Sequence, residues 1–470
     1  MRRALAVLCA LALILGAYVV ADIYDVAPGW LTRAERELDP AAGPVPHLET
    51  DEPVLAPVSA DSPVPTREGI ASSLKDEVTD PALGKSVGFI VRDALTGEEL
   101  FTKDADAPRI PASTAKILAG ATVSQSVDLA EPMTTRVVTG GAPDGIILVA
   151  SGDTLLAEGA GSPTSVEGRA GLGDLAAQVA SALKAKGVQG PLRLRLDATY
   201  AAGPRYAPTW DMADVAAGYT QGVSMIGLAK DRPQPFAPSP EFPERAVLDS
   251  FATALEKAKV PVEVVDSESS WTKAAPADAE ELGAVESAPL GDVLAYALDH
   301  SDNAMTENLV RQAAVSKGKG TTFADATALV TETLTDAGID MSDVTLKDTS
   351  GLSKGQRIPA RVISDVMQLG VTGPAPSMRG VLADLPVAGV TGTLTQRFRT
   401  DDSQSAAGIA RAKTGTLTGS SGLAGTTVTA DGRLLTYVLL ADRVPSTTGT
   451  LGARAALDRI VADLTSCGCR

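Results

Sequence analysis

A chain of 470 residues, 44% hydrophobic and 21% charged, is long enough for two or three domains around a large core. With 58 acidic against 41 basic residues the net charge is −17, which excludes nucleic acid and anionic membrane surfaces as main partners. Three cysteines (Cys9, Cys467, Cys469) and two histidines (His47, His300) leave no zinc spacing and no disulfide framework, so no metal or other cofactor is expected, and without a Gly-x-Ser-x-Gly elbow a serine enzyme here would draw its base from lysine.

Arg2 and Arg3 precede eighteen uncharged residues, 4–21, and then Asp22. Residues 1–26 read as an export signal, with Val19-Val20-Ala21 as a cleavage site, or as a retained anchor, the run being about long enough to span a bilayer. Both readings place the rest of the chain outside the cytoplasm and confine membrane contact to this segment. Residues 27–68 are rich in proline and acid and read as an extended linker.

The stretch from Ile70 to Val78 has the pattern of a short amphipathic helix, and SVGFIVRDA and EELFTKD that of a hairpin joined through Leu-Thr-Gly. PASTAKIL follows, from Pro111 to Leu118, with Ser113 and Lys116 three residues apart. On a helix that spacing puts both on one face, where a lysine of lowered pKa can take the serine proton and helix N-terminal N–H groups can hold an oxyanion. The pattern Ser-x-x-Lys occurs five times, at Ser72, Ser113, Ser181, Ser270 and Ser316, so spacing alone singles out none of them. Ser72 and Lys75 read as solvated, the Ser181 pair is explained by helical apolar spacing, and Ser270 reads as a loop residue.

Residues 133–289 differ in texture, with short strands such as TTRVVTG, DGIILVASG and PLRLRLDAT and one clear helix from Leu175 to Lys186. This predicts an inserted β-rich subdomain beside the cleft. Beyond it, helices over 289–298 and 304–315 flank a polar corner, His300-Ser301-Asp302-Asn303, and the chain's two asparagines, Asn303 and Asn308, both lie in SDNAMTEN. The bland reading is that Ser301 and Asn303 cap a helix. The last third contains DTSGLS, LPVAGVTGTLTQRF, a strand with Lys413-Thr414-Gly415-Thr416, a hairpin turning at Asp431-Gly432, and a final helix with Leu457, Ile460, Val461 and Leu464 on one face. First and last elements are expected to pack together.

Ser113-x-x-Lys116, Ser301-Asp302-Asn303 and Lys413-Thr414-Gly415, in that order, resemble the penicillin-recognising acyl-serine enzymes. PASTAK, HSDNAMTE, DTSGLS and LPVAGVTGTL further resemble the D-alanyl-D-alanine carboxypeptidase/endopeptidase family, peptidase family S13, also called the penicillin-binding protein 4 or DacB type. That family inserts an extra domain between the first two motifs, and here 188 residues separate Ser113 from Ser301. The resemblance implies an α/β (α+β) transpeptidase-like, β-lactamase-like domain with a central antiparallel sheet flanked by helices, split as 69–132 and 290–466 around the 133–289 insert, with a 467–470 tail.

It also implies a mechanism. Ser113 would attack the carbonyl between two D-alanines of a peptidoglycan stem peptide and Lys116 would take its proton. The backbone N–H groups of Ser113 and Thr416 would hold the oxyanion. Ser301 would relay a proton to the departing amine and Asn303 would bind the substrate's amide. Lys413, at the solvent-facing edge of the cleft, would with Thr414, Gly415 and Thr416 receive the terminal carboxylate and keep Lys116 neutral. β-Lactams would acylate the same serine. The alternatives are a β-lactamase or esterase of the same superfamily, and a silent wall-binding scaffold, which would have no need of Lys116, Ser301 and Lys413 together.

Overall fold

The computed structural model describes residues 60–469 other than 189, 266 and 374, so the 1–26 segment and most of the linker lie outside the described residues. Among these the strands, in chain order, are β1 (Val87–Asp93), β2 (Glu99–Lys103), β3 (Pro132–Thr139), β4 (Gly145–Val149), β5 (Leu192–Asp197), β6 (Val262–Val264), β7 (Glu281–Pro289), β8 (Arg411–Leu417), β9 (Ser420–Val428) and β10 (Leu434–Asp442). Helices longer than six residues are α1 (Arg67–Ser73), α2 (Lys116–Ser126), α3 (Leu172–Ala185), α4 (Pro243–Lys257), α5 (Leu290–Asp299), α6 (Asn303–Ser316), α7 (Phe323–Asp336), α8 (Ala360–Val371), α9 (Pro376–Ala383) and α10 (Gly449–Ser466). None is long and apolar enough to cross a membrane.

The first sheet has the order β2-β1-β10-β9-β8 and is antiparallel throughout. It closes the N-terminal hairpin on the C-terminal strands, with Val87 opposite Ala441 and Asp93 opposite Leu435. Side chains on a strand alternate between faces, and here both faces are covered. Ile90, Val438 and Leu440 join the core of α2 and α5 to α9, while Phe89, Val91, Leu435, Tyr437 and Leu439 join that of α1 and α10. The four apolar residues expected on the last helix, Leu457, Ile460, Val461 and Leu464, are completely buried there. First and last elements do meet: Arg459 Nε donates to Glu77 Oε2 (2.8 Å), and Thr66 N–H to the Cys469 carbonyl (2.7 Å). Cys467 and Cys469, whose part the sequence left open, sit beside one another just past α10. The linker's end is fixed as well, since Arg433 donates to the carbonyls of Ala60 and Ser62.

The second sheet, β6-β5-β4-β3-β7, draws all its strands from Pro132 to Pro289. β4, β5 and β6 run parallel, linked by α3 and α4 as two βαβ crossovers, and β3 pairs antiparallel with β4 and β7. The region is therefore α/β rather than simply β-rich. Within 133–289 the long helix not expected from sequence is α4, whose Val247, Leu248, Phe251 and Leu255 carry an apolar stripe into the sheet. Ser270, expected in a loop, lies on a one-turn helix, Glu268–Trp271, and is buried with its hydroxyl on the Ser267 carbonyl (2.6 Å).

α6 ties the parts together. Asn308 Nδ2 donates to the carbonyls of Gly152 (3.1 Å) and Ser224 (2.7 Å), and Arg311 Nη2 to that of Pro204 (2.7 Å). Every residue from Asn303 to Ala314 is buried.

Candidate active site

Ala112–Ala115 form a 3-10 turn that runs into α2 at Lys116. Ala112 takes a left-handed conformation, φ 46°, that side-chain-bearing residues seldom adopt, and such strain persists only where packing imposes it. Two glycines impose it. A Cβ at Gly351 (φ +89°) would lie 1.9 Å from the Ala112 carbonyl oxygen, and one at Gly415 would lie 2.7 Å from that of Pro111. The turn that carries Ser113 is thus wedged between the DTSGLS loop and β8. Ser113 keeps part of its surface open, whereas Lys116 is fully buried.

Lys116 Nζ meets three acceptors: Ser113 Oγ at 3.0 Å, Asn303 Oδ1 at 2.6 Å and the Ser350 carbonyl at 2.8 Å. Burial lowers its pKa to about 8, against the pull of Asp348, Glu307 and Asp302. An amine so placed can lose its proton near neutral pH and still point at the serine hydroxyl.

Two of those acceptors are themselves held. The Ser350 carbonyl is fixed by Glu307, whose Oε1 accepts from the N–H groups of Thr349 (2.9 Å) and Ser350 (2.7 Å) while Oε2 accepts from the Thr349 hydroxyl (2.7 Å). Burial and the nearby Asp348 raise the Glu307 pKa to about 7. Asp348 organises the same loop, accepting from Gly351 N–H, Ser353 N–H, Gln356 Nε2 and Trp210 Nε1, at 2.7 to 2.8 Å. Asn303, expected on the substrate's amide, has both ends occupied: Oδ1 by Lys116, and Nδ2 by the Tyr219 carbonyl at 2.8 Å.

α5 ends in a Schellman turn, with Ser301 N–H on the Leu298 carbonyl and Asp302 N–H on that of Ala297. The left-handed position such a turn requires falls to Ser301, φ 56°, where glycine is usual. The cap of α6 is neither Ser301 nor Asn303 but Asp302, whose Oδ1 accepts from Met305 N–H (2.9 Å). His300 stacks on Tyr296 and stands outside the network around Lys116.

β8 is the edge of the first sheet. Ala412 N–H donates away from β9 to the Pro386 carbonyl (2.9 Å), so strand alternation turns the N–H groups of Thr414 and Thr416 to that same open edge. Thr416 is exposed, and Thr414 Oγ1 donates to Thr393 Oγ1 (3.0 Å) in the LPVAGVTGTL stretch. Lys413 corrects its expectation. It is completely buried rather than at a wet edge, and burial, then the charge of Lys116, push its pKa well below the usual lysine value while Asp299 opposes them.

Sequence reading missed Glu307, Asp348, Arg232 and the carbonyl of Tyr219 as parts of the site. Glu307 had a signal, being four residues after Asn303 and so on the same face of α6. Arg232 and Tyr219 had none, because they arrive from the insert.

Comparison with known proteins places the chain in a family. The family model described as D-Ala-D-Ala carboxypeptidase 3 (S13) matches residues 70–235 and 229–464. The chain belongs to that family. It is 34% identical to Carboxypeptidase DacB of Mycolicibacterium smegmatis over 432 residues, 91% of each chain. It is 36% identical to Carboxypeptidase Rv3627c of Mycobacterium tuberculosis over 440 residues, 91% of this chain and 90% of that one. In fold it is similar to penicillin binding protein 4 from Haemophilus influenzae, with a TM-score of 0.65 and 17% identity over 84% of this chain and 98% of the other. This S13 protein is therefore a serine-type D-Ala-D-Ala carboxypeptidase, a hydrolase.

Proposed function

We propose that this S13 carboxypeptidase works through an acyl-enzyme on Ser113 with Lys116 as the base, and that it also cleaves peptidoglycan cross-links as an endopeptidase. The observation that carries the reading is Lys116 Nζ, buried and of lowered pKa, 3.0 Å from Ser113 Oγ. Ser113 Oγ attacks the carbonyl of the penultimate D-alanine and its proton passes to Lys116. The N–H groups of Ser113 and Thr416 hold the oxyanion. As the C–N bond breaks, the proton held by Lys116 passes through the Ser301 hydroxyl to the leaving D-alanine amine, and water then hydrolyses the ester.

The substrate's terminal carboxylate meets Lys413, Thr414, Gly415 and Thr416 at the open edge of β8. Desolvation disfavours a charged Lys413, and an arriving carboxylate reverses that. The newly charged Lys413 then favours the neutral form of Lys116. Substrate binding thereby switches on the base. Asn303 holds Lys116 and takes up the substrate amide only by exchanging its Tyr219 partner.

β-Lactams present a carboxylate and a strained amide to the same groups and acylate Ser113. Residues 133–289 form a subdomain that limits which cross-linked strands enter. Residues 1–26 export the protein or anchor it, leaving the catalytic part extracytoplasmic. Release of D-alanine from a synthetic pentapeptide stem tests the reading. Ser113→Ala should slow it by about 10³-fold or more, and release that persists at the wild-type rate would refute the assignment.

A further inference from the structure

Arg232 follows a 3-10 turn at Ala229–Asp231, within the part of the chain that supplies the second sheet. Its Nε (2.9 Å) and Nη2 both donate to Oδ2 of Asp302, and both side chains are 8% exposed. Asp302 spends its other oxygen on capping α6. The next residue, Asn303, places its Oδ1 2.6 Å from Lys116 Nζ.

We propose that Arg232 is a positioning residue for acyl transfer: by pairing with Asp302 it cancels a buried charge that Lys116 would otherwise have to balance, and it fixes the start of α6 so that Asn303 meets Lys116. The inference rests on the reading of Lys116 as the base. Its physical ground is the cost of an unpaired buried charge. Without Arg232, the Asp302 carboxylate has Lys116 as its nearest remaining cation, and Lys116 then holds its proton more tightly.

The other charges near Lys116 are Glu307 from α6, Asp348 from the DTSGLS loop and Lys413 from β8. Those near Asp302 are Arg232, Lys116 and, through the hydroxyl of Tyr296, Glu167. Burial alone would raise the Asp302 pKa, and Arg232, joined by the Met305 N–H and Lys116, outweighs it and holds the carboxyl below its usual value. No second arginine or lysine is within salt-bridge distance of Asp302 among the described residues.

Stopped-flow acylation by a fluorescent penicillin, followed from pH 5 to 10 on the folded protein, separates this from a merely structural role. Arg232→Met should move the half-maximal pH up by about one unit, a tenfold loss of rate on the acid side of the profile, and Arg232→Lys should regain most of it. Arg232→Met combined with Asp302→Asn should return the profile toward wild type, because asparagine still caps α6 and no buried charge is left over. If Arg232→Met does not fold, Arg232→Lys carries the test through a smaller shift in the same direction. An unchanged profile in Arg232→Met or, should that not fold, in Arg232→Lys overturns the proposal, and so does a double variant no better than Arg232→Met. Lys116→Met acylating at the wild-type rate would instead bring down the base reading on which the proposal stands.

Discussion

Lys116 and Lys413 are both fully buried in one cleft, and burial lowers the proton affinity of each, so the free enzyme holds fewer charges there than its formula suggests. On the proposed mechanism the reactive form is the one in which Lys116 is neutral. Acylation by penicillin should therefore rise with pH and reach half its limit near pH 8, the value to which burial lowers Lys116. Lys116→Arg should abolish it by about 10²- to 10⁴-fold, the range of a lost general base, since guanidinium keeps its proton. A stopped-flow profile flat between pH 6 and 9 would disprove this. Ser301 offers a second test at this scale, because a serine at φ 56° is strained where glycine would not be. Ser301→Gly should raise unfolding stability by about 1 kcal/mol while lowering turnover. Thermal melts alongside D-alanine release check both halves, and a variant that is less stable yet fully active contradicts the reading.

At the scale of elements, α6 is a buried strut whose first turn serves Lys116 and whose later turns hold the insert. Glu307 on it is a carboxyl whose folded pKa, about 7, lies above its ordinary value. Its protonated form is thus preferred in the fold, so its contribution to stability is complete below about pH 4 and is lost as pH rises through 7. Glu307→Gln keeps an oxygen for the two backbone donors and can donate to the Thr349 hydroxyl. It should flatten the stability profile between pH 5 and 8, whereas Glu307→Ala should cost about 2 to 4 kcal/mol by orphaning buried donors. Chemical denaturation at several pH values decides it, a Gln variant with the wild-type slope being the contrary result. The same helix shows what was legible in sequence. The polar corner between two helices, and asparagine confined to it, pointed to Asn303. That its amide would be shared between Lys116 and Tyr219 depends on a chain crossing from 84 residues away, which no local pattern encodes.

At the scale of the whole molecule, the antiparallel sheet was readable because hairpins are local: β8, β9 and β10 follow one another with turns at Gly419 and Gly432, both at positive φ. In the insert the strands were legible but their connections were not, because the parallel strands are neighbours in space and not in sequence, and the amphipathic α4 is their crossover. Lys413 was misplaced for a related reason. A lysine in a strand reads as solvent-facing, and only the packing of the Ala112–Ala115 turn against β8 shows it enclosed. What did carry through was the order of three motifs, which the fold brings around one serine. The most direct measurement is therefore the site of the covalent adduct. The purified protein is trapped with a fluorescent penicillin, digested, and the labelled peptide sequenced by mass spectrometry. The label is expected on Ser113, in PASTAKIL, and absent from Ser113→Ala; label on any other serine, or undiminished labelling of Ser113→Ala, would contradict the assignment.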